Sequence, residues 1–137
     1  MTYRFLSHTA DVKFQAEGKT LEKAFSEAAL ALKETIAEKI KIREKIKKKI
    51  EIQGKDLENL LYNFLEEILF LLDSEEFLFS KIKDLKIDEK KLILKAVVLG
   101  DKASNYRFSN DVKAITYNSM FVKKEKNKYV VQVVLDV

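Results

Sequence analysis

Hydrophobic residues recur along this chain with two different periods. From Asp11 to Ala16, Val12, Phe14 and Ala16 alternate with Lys13 and Gln15, the two-residue period of a half-buried strand with Asp11 at its entrance. After Thr20, the residues Leu21, Ala24, Phe25, Ala28 and Leu32 return at three- and four-residue steps, which predicts an amphipathic helix capped by Thr20. Between Ile40 and Gln53, Ile40, Ile42, Ile46, Ile50 and Ile52 hold even positions. Odd positions carry Lys41, Arg43, Lys45, Lys47, Lys49 and Glu51, so the pattern predicts one long strand that Gly54 ends. Asp56 then caps a second helix expected to reach about Leu72. Its apolar residues Leu57, Leu60, Leu61, Phe64, Leu65, Ile68, Leu69 and Leu72 cover a wide arc and leave a narrow stripe of Asn59, Asn63, Glu66 and Glu67. An arc that wide predicts a mostly buried helix, or one shared between the core and a partner.

Alternating segments around Asp84 to Asp88 and Lys91 to Leu99, separated by Asp88, Glu89 and Lys90, predict a hairpin with a short charged turn. A loop is expected from Gly100 to Asp111. Two further strands follow, about Val112 to Lys123 and Tyr129 to Leu135, joined through Glu125, Lys126 and Asn127. The last of these is apolar on both faces and should lie centrally in its sheet. The order of elements predicts an α+β fold with two layers, two main helices packed on a mixed β-sheet, and residues 1–137 form one expected domain.

Composition narrows the chemistry. The 137 residues are 47% hydrophobic, enough to fill one core, and no apolar run approaches the ~18 residues of a membrane span. The start of the chain lacks the cationic and apolar segments of an export signal, so a cytoplasmic location is expected. With no cysteine, disulfides, thiolate zinc sites and cysteine nucleophiles are excluded, and a metal would fall to oxygen ligands or to His8. His8 sits in Ser7-His8-Thr9-Ala10-Asp11, but a catalytic triad is assembled in space, and a lone histidine is more often a hydrogen-bonded structural group. No phosphate-binding glycine loop or nucleophile elbow occurs.

At the other end, Asp136 and the terminal carboxylate of Val137 emerge together after an apolar strand. If the first strands lie beside the last, Asp11 adds a third carboxylate, and three hard oxygens suit Ca²⁺ or Mg²⁺. Read without other information, the same acids are separate solvated groups at a frayed end. The cations Lys41, Arg43, Lys45, Lys47 and Lys49 form a ridge along one strand. The ridge reads first as protection of an edge strand and second as an RNA contact, since no aromatic residue is interleaved for base stacking.

Several segments in order resemble the archease family: His8-Thr9-Ala10-Asp11-Val12, Leu60-Leu61-Tyr62-Asn63-Phe64-Leu65-Glu66-Glu67, Val112-Lys113-Ala114-Ile115-Thr116-Tyr117 and the terminal Leu135-Asp136-Val137. The resemblance spans the whole chain. It implies a divalent ion, usually calcium, held by Asp11, Asp136 and Val137, and a functional lysine at Lys113. It also implies activation of a GTP-dependent RtcB-type RNA ligase in tRNA splicing and RNA repair, with tRNA met through the ligase complex and no reaction catalysed by the chain itself. Two departures stand out: Asn118 follows Tyr117 where many relatives have His, and the loop before Asp111 lacks the common His and Pro. Competing expectations are a chaperone-like modulator of a tRNA-modifying enzyme such as a methyltransferase, a small metal-dependent phosphohydrolase, and a plain RNA-binding module using the basic ridge.

Overall fold

The computed structural model describes residues 2–6, 11–109 and 112–137. Strands β1 (Thr2–Leu6) and β2 (Val12–Gly18) lead into helix α1 (Leu21–Ala37). Strand β3 (Ile46–Gln53) and helix α2 (Leu57–Glu75) follow. Strands β4 (Phe77–Asp88) and β5 (Ile93–Lys102), a short 3₁₀ turn (Ala103–Asn105), and strands β6 (Ala114–Glu125) and β7 (Lys128–Asp136) complete the chain.

Both predicted helix caps form. The Thr20 side chain accepts from the Lys23 N–H at 3.1 Å, and Asp56 Oδ1 accepts from the Asn59 N–H at 2.7 Å, each satisfying a donor that the first turn leaves unpaired. Gly54 stands where a Cβ would lie 2.7 Å from the Leu60 Cα, so only glycine lets β3 pass this close to the start of α2. At the β4–β5 turn, Asp88 Oδ1 accepts from the N–H groups of Lys90 and Lys91.

The fold is α+β with two main helices. The seven strands among the described residues are divided between two sheets, of order β1-β2-β7-β6 and β3-β5-β4, and every described strand pairing is antiparallel, where one mixed sheet was expected. The reason lies in the helices. Each helix contacts strands of both sheets as well as the other helix, with Phe25 of α1 stacked on Phe64 of α2 at 6.2 Å between ring centroids. Helices flanked on several sides bury wide arcs, and the inner faces of both sheets supply the rest of one core, with Phe14, Val131 and Val133 from the first and Ile50, Leu94 and Val98 from the second. As expected, β7 is central, between β2 and β6.

The predicted long strand is shorter than its alternation. Residues 40–45 precede β3, and their backbone is held by side chains instead of a ladder: Ser80 Oγ donates to the Ile42 carbonyl at 2.9 Å, and the Arg43 N–H donates to Tyr106 Oη at 2.8 Å. Ile42 is still buried, so the alternation persists without pairing. Conversely, β1 is a full strand that the hydrophobic pattern did not single out.

Candidate functional site

Strand β7 brings the separated candidate residues to one place. Val12 of β2 faces Leu135 on one side of it, and Ala114 of β6 faces Asp136 on the other. Asp11, one residue before β2, lies just beyond the last pair of that ladder, and it lines a groove with Phe5 of β1 and Glu34 and Thr35 of α1. One residue before β6, Lys113 stands beside Val137 and donates its N–H to the Asp136 carbonyl at 2.7 Å. Asp136 and Lys113 are exposed, while Asp11 and Val137 are half-buried. Asp11, Lys113, Asp136 and Val137 thus gather at one end of the first sheet, because an antiparallel sheet returns distant segments to a common edge.

Among the described residues, no three His, Cys, Asp or Glu side chains cluster as a metal centre. The side chains of Asp11 and Asp136 carry hard oxygen donors, the kind of ligand that suits a divalent cation of the Ca²⁺ or Mg²⁺ type. His8 lies outside the described residues, with Ser7, Thr9 and Ala10, and so does Asp111.

Lys113 also lines a groove of about 310 Å³ between α2 and β6, with Tyr62, Glu66, Leu69, Phe70, Asp73, Ser74 and Ala114. Glu66, Phe70 and Asp73 continue from Tyr62 at helical spacing, and Phe70 is 51% exposed, unusual for a large apolar side chain. Tyr62 stacks on Tyr117 of β6 at 4.2 Å between ring centroids and 7° between planes, and the Asn59 amide donates to Tyr117 Oη. Burial, then the hydrogen bond and charge of Glu66, push the Tyr62 phenol above its usual pKa. This aromatic and acidic groove was missed from sequence, although Phe70 falls four residues after Glu66 and three after Glu67, in the polar stripe of α2. The available signal was that α2 has more apolar residues than a single buried face uses.

Asn118, the departure after Tyr117, lies where β6 loses register with β7 between Thr116 and Phe121. Its N–H donates to Thr116 Oγ1 at 3.3 Å, and the next residue, Ser119, takes a positive φ of 56°. Its position is thus a backbone irregularity beside the groove.

An α+β fold with two helices against antiparallel sheets, carrying acids and a lysine at one strand end, defines the class. The chain matches the model of the Archease protein family (MTH1598/TM1083) over residues 3–137 and belongs to that family. It is 38% identical to a protein archease of Sulfurisphaera tokodaii, covering 98% of each chain, and 41% identical to one of Saccharolobus islandicus, covering 99% of each. The solution structure of Methanobacterium thermoautotrophicum protein 1598 superimposes with a TM-score of 0.84 at 36% identity, over 98% of both chains. A crystal structure from Thermotoga maritima, described as an archease and possible chaperone, shares the fold with a TM-score of 0.68 at 20% identity. No described helix is long and apolar enough to cross a membrane.

Proposed function

We propose that this protein is a non-catalytic activator of a GTP-dependent RNA ligase of the RtcB type, acting in the cytoplasm in tRNA splicing and RNA repair. The observation that carries the reading is the convergence of Asp11, Lys113, Asp136 and Val137 at one end of the first sheet. Asp11, Asp136 and the terminal carboxylate of Val137 would hold Ca²⁺, with Mg²⁺ as the alternative. Bound there, the ion offsets carboxylate repulsion and offers positive charge to an anionic partner. Lys113, exposed beside this set, meets an anion on the ligase, and Phe70 and Tyr117 supply apolar contact on the same side of the molecule. Among the described residues gathered here, Asp11, Lys113, Asp136 and Val137, none is a hydroxyl or thiol nucleophile, and the chemistry is assigned to the partner. The description of the Thermotoga structure as a possible chaperone favours a protein partner in general, and keeps a chaperone-like role toward a tRNA-modifying enzyme as the second reading.

Ligase guanylylation and multiple-turnover ligation, measured with substoichiometric amounts of this protein, test the proposal. The parent protein should sustain many ligase turnovers. Asp11→Ala should lose the rise in melting temperature that Ca²⁺ gives, and Lys113→Ala should lose activation while keeping the parent's melting temperature. Full activation by Lys113→Ala, or equal Ca²⁺ affinity in Asp11→Ala, refutes the corresponding role. GTP hydrolysis by the protein alone that disappears in Asp11→Ala would identify a metal-dependent phosphohydrolase.

A further inference from the structure

The lysine ridge read from the sequence is only part of a larger surface. Lys47 and Lys49 of β3 lie on the outer face of the second sheet, since Ile50 and Ile52 of the same strand pack inward. The register sets Lys47 against Leu99, Lys49 against Val97 and Glu51 against Lys95 of β5. On the far side of β5, Lys81 faces Leu99, Lys83 faces Val97, and beyond a bulge Lys86 faces Lys95. Lys47, Lys49, Lys81, Lys83, Lys86 and Lys95, drawn from three strands, therefore share one face, and all are exposed.

Neutralisation of this face is slight. Lys95 approaches Glu51 at 3.8 Å and Lys81 approaches Glu44 at 3.5 Å, both between largely exposed groups. Asp84 sits in the bulge between Lys83 and Lys86. Among the described residues, no ion pair engages Lys47, Lys49, Lys83 or Lys86. Leu99 is 8% exposed although it lies outside the core cluster, which is what the flanking stems of Lys47 and Lys81 produce. The ammonium groups thus surround a floor of Val97 and Leu99 with a shallow depression beside Lys49 and Lys95.

We propose that this face binds the sugar-phosphate backbone of duplex RNA. Lysines two residues apart on a strand repeat at about 7 Å, and β3 and β4 lie about 10 Å apart across β5, so the array presents point charges in two dimensions to a run of phosphates. No aromatic side chain or arginine is interleaved among the six lysines, and Tyr106 at the end of the face is engaged with Asp101, which points to sequence-independent backbone contact. It also lacks a protruding apolar residue to enter a membrane, since Val97 is half-buried and Leu99 nearly buried. An acidic protein partner would be expected to find an anchoring pocket, whereas the depression here is lined by Glu51 and Asp84 as well as by Lys49 and Lys95. The choice of RNA rests on the proposed function, but contact with a polyanionic backbone does not, and neither Asp11 nor Lys113 is on this face.

Fluorescence anisotropy with a labelled RNA duplex, in the absence of any ligase, tests this across a salt series. The parent protein should bind with a slope of log affinity against log salt that reflects several released counterions. The triple variant Lys49→Gln/Lys83→Gln/Lys95→Gln should lose about tenfold or more in affinity, and about three in slope, at an unchanged melting temperature. A control with the same loss of charge, Lys19→Gln/Lys39→Gln/Lys126→Gln, should bind nearly as the parent does, and Asp11→Ala should bind as the parent does even where ligase activation fails. Equal losses in the two triple variants would reduce the effect to net charge and overturn the assignment. Tighter binding to a DNA duplex, to polyglutamate or to phosphatidylserine vesicles would overturn it as well.

Discussion

The outer faces of the two sheets follow the same alternation and reach opposite chemical ends. On the first sheet a chain of hydrogen bonds crosses all four strands. Arg4 donates to Gln15 Oε1 at 3.0 Å, Gln15 to Gln132 Oε1 at 2.8 Å, and Gln132 to the Ser119 carbonyl at 2.7 Å. Lys128 closes on Glu17 at 2.9 Å, and Val134 on the same face is fully buried outside the core cluster. On the second sheet the outward side chains are mostly lysines with few internal partners. The pleat decides which residues point outward, but whether they satisfy one another depends on which strands the topology makes adjacent. Along the row from Arg4 to Ser119 the first face is internally satisfied; the second is left to seek charge elsewhere.

If both sheets depend on one core, a cavity between the helices should unfold them together. Phe64→Ala, at a fully buried residue stacked on Phe25, should cost about 3–5 kcal/mol. Hydrogen exchange should show amides of β7 and β5 losing protection in parallel, and loss confined to one sheet would show that the sheets have separate cores.

A smaller effect should separate the two outer faces. Gln132→Ala leaves the Gln15 amide and the Ser119 carbonyl without their partner at a nearly buried position, and should cost about 1–3 kcal/mol in denaturant unfolding. Lys49→Gln and Lys83→Gln, on the lysine face, should each change stability by no more than about 0.5 kcal/mol. A stabilising effect of either lysine substitution at low salt, fading as salt is added, would sharpen the contrast by exposing repulsion within the face.

The least effect is expected at the end of the second sheet, where one acid does have partners. Asp101, nearly buried at the end of β5, accepts from Tyr106 Oη at 2.7 Å and from the Lys102 N–H at 2.8 Å. The Tyr106 hydrogen bond, followed by that of Lys102, lowers its pKa below the usual carboxylate value. Folding therefore favours the ionised form. That contribution is present above the unfolded-state pKa, about 3.9, and is lost as pH falls through the lower folded value. The melting temperature should drop on acidification below about pH 4, and Asp101→Asn should show a shallower acid limb. An unchanged acid limb in the variant would assign the loss to other carboxylates.

Much of the local structure was legible because its causes are local. Thr20 and Asp56 announce their helices through side chains that reach backbone donors three residues on. The Asp88 turn works over the same distance. The start of β3 was not legible. Ile42 keeps the alternation of a strand, while the groups that actually hold residues 40–45, Ser80 and Tyr106, come from far along the chain. At the candidate site, the carboxylates of Asp11, Asp136 and Val137 were read from sequence as groups that could converge, and Lys113 was named only through the family resemblance. The Tyr62–Tyr117 stack was not named, since its partners are 55 residues apart, and neither was exposed Phe70, although it interrupts the polar stripe of α2.

By itself the sequence determined the two helices and their caps, the alternating strands, the α+β class and a chain without cysteine chemistry, because these follow from side chains acting within a few residues of one another. Only the tertiary structure decided that the strands divide into two antiparallel sheets, that β7 carries Asp136 and Val137 between Asp11 and Lys113, and that lysines from β3, β4 and β5 share a face. Those outcomes depend on strand adjacency and register, which are set by how both helices fill one core against two sheets, and no short window of sequence contains that information.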